Sequence, residues 1–175
     1  QLQTVQKLLD FYNSDTIPVI YQLGSLGASG DLAPLSHLSL PLIGEGEIWN
    51  GTNKAAPSSS TLKLGPKEGL ALINGTQFMQ DYGVHCLIRA KKILENADKL
   101  AAMCIDAYDG RIEPFNEVLH LVRPHNGQLK TAERIREFLE GSEIIKQEKT
   151  DVQDPYSFRC IPQVHGATKD TLAFV

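Results

Sequence analysis

The feature that most limits what this chain can fold into is one very long run of apolar residues at helical spacing. From about Gly75 to Tyr108, the residues Phe78, Tyr82, Cys86, Ala90, Ile93, Ala97, Leu100 and Cys104 advance by threes and fours. Met79, Leu87, Leu94 and Ile105 add a second strip. The pattern predicts a helix of roughly 34 residues, roughly 50 Å long at the helical rise. An apolar surface this broad requires neighbours on more than one side, so the chain reads as mainly α, built around a bundle of long helices.

Shorter elements surround it. Leu2, Val5, Leu8, Leu9 and Tyr12 predict a helix that Asn13, Ser14, Asp15 and Pro18 close. Leu32, Leu35, Leu38 and Leu42 predict a short helix with Asp31 as its cap, Pro34 in its first turn and Pro41 limiting its length. The Asn-Gly signal in "GEGEIWNGTN" predicts a small β-hairpin or loop near 44–56, around Ile48 and Trp49. Leu129, Ala132, Ile135, Phe138 and Leu139 give another amphipathic helix ending at Gly141, and a last helical run extends from Gln163 to Val175. Helical pattern reaches both ends without start or stop signals, so residues 1–175 are expected to be an internal part of one larger, mostly helical domain.

Bulk properties narrow the partners. With 42% hydrophobic and 22% charged residues, 175 residues suffice for a buried core. A net charge of −4 gives no electrostatic basis for holding nucleic acid or an anionic membrane, and no apolar run reaches the roughly twenty residues of a bilayer span. Cys86, Cys104 and Cys160 form no CxxC pair and are odd in number, which fits reduced thiols and a cytoplasmic location. His37, His85, His120, His125 and His165 lack zinc-site spacing, so no metal is expected.

The chemistry concentrates in "GSLGASGDLAP" at 24–34, where Gly24, Gly27 and Gly30 recur every third residue. One reading is a tight turn ahead of a helix, the glycines supplying positive φ. A phosphate loop is a second, weakened by the absence of a Gly-Lys-Ser/Thr ending. The third takes Ala28, Ser29 and Gly30 as reactants. Attack of the Gly30 amide nitrogen on the Ala28 carbonyl carbon closes a five-membered ring; loss of one water and then of the Ser29 hydroxyl as a second leaves an exocyclic methylidene. A fixed near-attack geometry would make this slow cyclisation feasible.

"GSLGASGDLAPLSHL" resembles the signature of the aromatic amino acid ammonia-lyases, "LALINGTQ" at 70–77 a second block of that family, and "QDPYSFRCIPQVHGA" at 153–167 a third. The three occur in the family's order across nearly the whole chain. The resemblance implies a long-helix bundle core of the ammonia-lyase type. It also implies a 4-methylidene-imidazol-5-one formed autocatalytically from Ala28, Ser29 and Gly30, with no diffusible cofactor. The third block is similar to the histidine-acting branch, which implies ammonia elimination from L-histidine to give urocanate. Phenylalanine or tyrosine lyases and aminomutases are the alternatives within the family, and a non-catalytic anion-binding or scaffold module is the alternative of another class.

By the same resemblance, Asn74, Gln153 and Arg159 belong to substrate binding and Tyr156 to catalysis, Arg159 pairing with the substrate carboxylate. Asp31 stays open between a helix cap and an acid-base aid to ring formation. Asn74 precedes Gly75 where the long helix starts, so capping is its other role. Gln153, Tyr156 and Arg159 are three apart, the spacing of one helical face, although Pro155 between them favours an irregular backbone. The family forms homotetramers whose sites draw on several subunits, so the isolated 175-residue piece is expected to be inactive.

Overall fold

The computed structural model describes residues 1–60 and 62–175. The chain divides into two compact units, Gln1–His85 and Cys86–Val175.

The first unit opens with α1 (Leu2–Asn13). Next comes α2 (Leu32–Ser39), continued by a 3-10 turn over Leu40–Ile43, where Pro41 removes a backbone donor and Gly44, at φ +86°, ends the segment. Leu35 and Leu42 are buried as the leucine spacing predicts, while Leu32 stays partly exposed. The hairpin falls inside the expected window: β1 (Ile48–Asn50) pairs antiparallel with β2 (Asn53–Ala55), with Gly51 at φ +61° in the turn. Before β1, the loop is tied to it by the Pro18–Ile48 bridge. A short α3 (Glu68–Ile73), which the sequence reading does not contain, packs on α2. Six residues are too few for a periodic signal.

The long helix is α4 (Gln77–Ala107), 31 residues, beginning two residues later and ending one residue earlier than the apolar pattern suggests. In the second unit α5 (Glu117–Leu121) has a local cap, Asn116 Oδ1 accepting from the Val118 N–H at 3.1 Å. Then follow α6 (Asn126–Leu139), the one-turn α7 (Tyr156–Arg159) and α8 (Ile161–Phe174). The core of this unit is Ala102, Ile105, Phe115, Ile135, Leu139 and Ile161. α6 and α8 make its most extensive helix pair. They meet backbone to backbone at Gly127 and Gly166, where no side chain keeps them apart.

Three helices of this unit are also tied by charge. Asp98 of α4, fully buried, accepts from Lys169 Nζ at 2.6 Å and lies 2.9 Å from His165 Nδ1, both on α8, and 3.1 Å from Arg134 Nε of α6. Lys169 also donates to Thr131 Oγ1 at 2.7 Å. A buried carboxylate among three bases is tolerable because its charge is matched at contact distance. No helix among the described residues is long and apolar enough to cross a membrane.

Candidate active site

In the first unit the tripeptide Ala28-Ser29-Gly30 forms a bend one residue before α2, with Ala28 and Ser29 exposed and Gly30 half-buried. Its backbone is shaped by Gly27 at φ +67° and Gly30 at φ +116°. Gly30 lies against the Gly75 backbone and the Asn74 side chain. A Cβ at position 30 would stand 2.9 Å from Gly75 N, 3.0 Å from Gly75 O and 3.1 Å from Asn74 Oδ1. Both the positive φ and this close approach admit only glycine without movement of main chain.

Asp31 explains why the two strands of chain stay together. It is 1% exposed, its N–H donates to Gly75 O at 2.7 Å, and its carboxylate accepts from Ser25 Oγ at 2.7 Å and from the Met79 N–H at 2.9 Å. One of the two readings of Asp31 from sequence is the cap of the helix it precedes. The structure corrects this: Asp31 is positionally the N-cap of α2, but its side chain makes no bond there and instead satisfies a first-turn amide of α4.

The alternative role of Asn74, capping the long helix, is corrected too. It does not open the long helix; it is the C-cap residue of α3, three residues ahead of Gln77, and its amide oxygen sits beside Gly30. The structure thus brings Gly30, Asp31 and Asn74 into one cluster in which Ala28 and Ser29 form the exposed edge.

The second unit holds the other predicted residues. Gln153, Tyr156 and Arg159 do not share a helical face: α7 starts at Tyr156, and Gln153 lies before Pro155 in non-helical chain. Proline has no N–H to continue a helix and biases the residue before it away from the α region. Gln153 and Arg159 nevertheless line one cavity of about 450 Å³, together with Arg111, His120, Asp154 and Gln163. Tyr156 is 72% exposed, and the Arg159 guanidinium lies 5.8 Å from its ring centroid. Arg159 Nε donates to the Asp154 carbonyl at 2.9 Å.

Sequence reasoning missed the groups that support this loop. Asp154, buried, accepts the Arg111 N–H at Oδ2 (2.7 Å), and the Arg111 side chain donates to the Asp151 carbonyl, from Nε at 3.1 Å. His120, 2% exposed, lies 3.0 Å from the Pro114 carbonyl through Nε2 and 2.9 Å from the Gln128 amide nitrogen through Nδ1. The neutral tautomer with the proton on Nε2 satisfies both contacts. Burial, with the nearby Arg136 charge, holds its pKa below the usual imidazole range. None of these bonds has a sequence signal, because the partners are up to 43 residues apart.

The family model for aromatic amino acid lyases matches residues 1–175. The chain belongs to the aromatic amino acid lyase family. It is 49% identical to a histidine ammonia-lyase of Natranaerobius thermophilus over 178 residues, covering 97% of this chain and 35% of that protein. The histidine ammonia-lyase of Bacillus subtilis is 48% identical over 183 residues, covering 99% and 36%. The chain therefore spans about a third of the length of the curated relatives it matches.

Solved structures of the lyase family superpose well. Histidine ammonia-lyase of Trypanosoma cruzi gives a TM-score of 0.80 at 38% identity, covering 99% of this chain and 33% of that one. Tyrosine aminomutase of Streptomyces globisporus gives 0.82 at 35% identity, covering 96% and 37%. Ergothionase of Treponema denticola, an ergothioneine-degrading enzyme, gives 0.91 at 27% identity, covering 99% and 36%. The mainly α fold with its small hairpin is thus that of the ammonia-lyases.

The family implies a methylidene-imidazolone made from the protein's own backbone, and the residues present fit it. Ring closure requires an attacking amide unhindered by a side chain, and position 30 is a cradle that a Cβ would fill. Ala28, Ser29 and Gly30 are the residues that would become the group.

Proposed function

We propose that this chain is an internal part of a carbon-nitrogen lyase that removes ammonia from L-histidine to give urocanate, within histidine degradation. The observation that carries the reading is the glycine-only position at 30, pressed on the Gly75 backbone and the Asn74 side-chain amide, at the place where self-condensation needs an uncrowded amide. The curated relatives named above are histidine ammonia-lyases, which supports histidine as the substrate. When formed, the methylidene-imidazolone supplies an electron-poor alkene that no ordinary side chain provides.

The remaining residues bind and orient. Arg159, engaged through Nε with the Asp154 carbonyl, offers its terminal nitrogens as a planar fork for the substrate carboxylate. Tyr156 orients the amino group or moves a proton, and Gln153 supplies an amide for hydrogen bonding. Asn74 contributes an amide next to Gly30. Asp31 acts as an anionic bracket. The parent is proposed to be a cytoplasmic homotetramer. Ile88, Ile93, Leu100 and Met103 of α4 are all more than half exposed here, and association would cover them.

The test is turnover by the full-length protein given histidine, tyrosine and phenylalanine separately, read from the ultraviolet absorbance of each conjugated acid. Histidine is expected to react fastest, and Ser29→Ala to abolish turnover. Preferential release of a cinnamate-type acid, or a β-amino acid product, would move the protein to another branch of the family. Full activity in Ser29→Ala would overturn the reading altogether.

A further inference from the structure

Ser25 has no part in the activity as described, yet it closes the arc that contains the reacting tripeptide. Its hydroxyl donates to Asp31 Oδ1 at 2.7 Å, joining the two ends of a seven-residue segment whose middle is residues 26–30. Asp31 is itself immobilised, by the Met79 N–H on its other oxygen and by its own N–H on Gly75 O. One end of the arc, the buried Asp31, is thus anchored to the main chain of Gly75 and Met79, and Ser25 fixes the other end to that anchor. The arc must bend back between them, with Gly27 and Gly30 both at positive φ. Attack of the Gly30 nitrogen on the Ala28 carbonyl carbon requires the chain to bend there.

We propose, on the lyase reading above, that Ser25 is a positioning residue for the self-condensation of Ala28-Ser29-Gly30, acting through its hydrogen bond to Asp31. The condensation is redox-neutral. The Gly30 N to Ala28 C bond forms, and the Ala28 carbonyl oxygen leaves as water with the Gly30 and Ser29 amide protons. The Ser29 Cβ–O bond then breaks, its hydroxyl leaving as a second water with the Ser29 Cα proton. Ser25 takes no proton in either step. It restricts the arc beforehand, which is how a fixed geometry accelerates an intramolecular attack.

The experiment follows ring formation directly. Full-length wild type, Ser25→Ala, Ser25→Cys and Ser25→Thr are synthesised in a cell-free system, sampled at intervals, and the peptide spanning Leu23–Leu32 is weighed. Wild type is expected to lose two waters. Ser25→Ala and the near-isosteric Ser25→Cys, a weak donor, are expected to do so on the order of tenfold more slowly, the effect of one hydrogen bond to a charged acceptor. Ser25→Thr, which keeps the hydroxyl, restores the rate. The rate is taken on the folded, protease-resistant fraction, so a variant that merely folds less well does not mimic the effect. Cyclisation of both Ser25→Ala and Ser25→Cys at the wild-type rate overturns the proposal while leaving the lyase reading intact. A wild-type peptide that keeps both waters overturns both.

Discussion

Replacing Gly166 by alanine is a severe test of how the second unit is held together. Helix propensity alone favours the change, because alanine in a helix interior is better than glycine by about 0.8–1 kcal/mol. Packing opposes it. A Cβ on Gly166 would stand 2.6 Å from Gln128 Cα and 2.8 Å from Gly127 C, short by 0.8 and 0.6 Å of the 3.4 Å where ordinary contact begins. Both obstacles are main chain of α6, so no rotamer change relieves them, and α6 and α8 must separate. A gap of this size forfeits about a quarter to a half of each contact's attraction. Applied to Ile135, Leu139 and Ile161, each worth about 2 kcal/mol when fully buried, that is a loss of about 1.5–3 kcal/mol.

Steric strain adds to this loss, so the net cost of the substitution is about 2 kcal/mol despite the better propensity. The melting temperature should fall by about 4–8 °C. Gly83→Ala is the control: it lies in α4 with nothing within 4 Å of the added methyl, so propensity acts alone and stability should rise by up to about 1 kcal/mol. Thermal and urea unfolding followed by circular dichroism measure both, and amide exchange over residues 126–139 and 161–174 localises the damage. A Gly166→Ala protein that melts at or above the wild-type temperature would refute the claim that the two backbones meet there.

Two further outcomes follow from the second unit. Asp98→Ala leaves Lys169, His165 and Arg134 facing a site without its carboxylate and should cost about 3 kcal/mol, discounted from the fully buried case because the three bases are 18–34% exposed; the urea midpoint measures it. His120 has a folded-state pKa below its unfolded value, so acid protonates the unfolded chain first. Its contribution to stability is fully present above the unfolded value of about 6.5 and declines as pH falls from there toward the folded pKa. Imidazole NMR shifts should show the ring less than half charged at pH 6.5, and a ring half charged or more there would contradict the burial argument.

Much of this protein was legible in order along the chain. The threes-and-fours pattern from Phe78 to Cys104 determined α4 because a helix repeats its apolar face every 3.6 residues, whatever packs on it. The Asn-Gly signal located the hairpin, and the three motif blocks indicated the family, because those features are local. What only the tertiary structure decided are the partners. Asp31 caps α4 instead of the helix it precedes; Asn74 closes α3; Pro155 separates Gln153 from the helix of Tyr156 and Arg159. Gly127 donates its N–H to Asp170, a helix-start amide satisfied from 43 residues away. A buried polar group takes whichever partner the fold brings within about 3 Å, and that distance is a property of the packed chain.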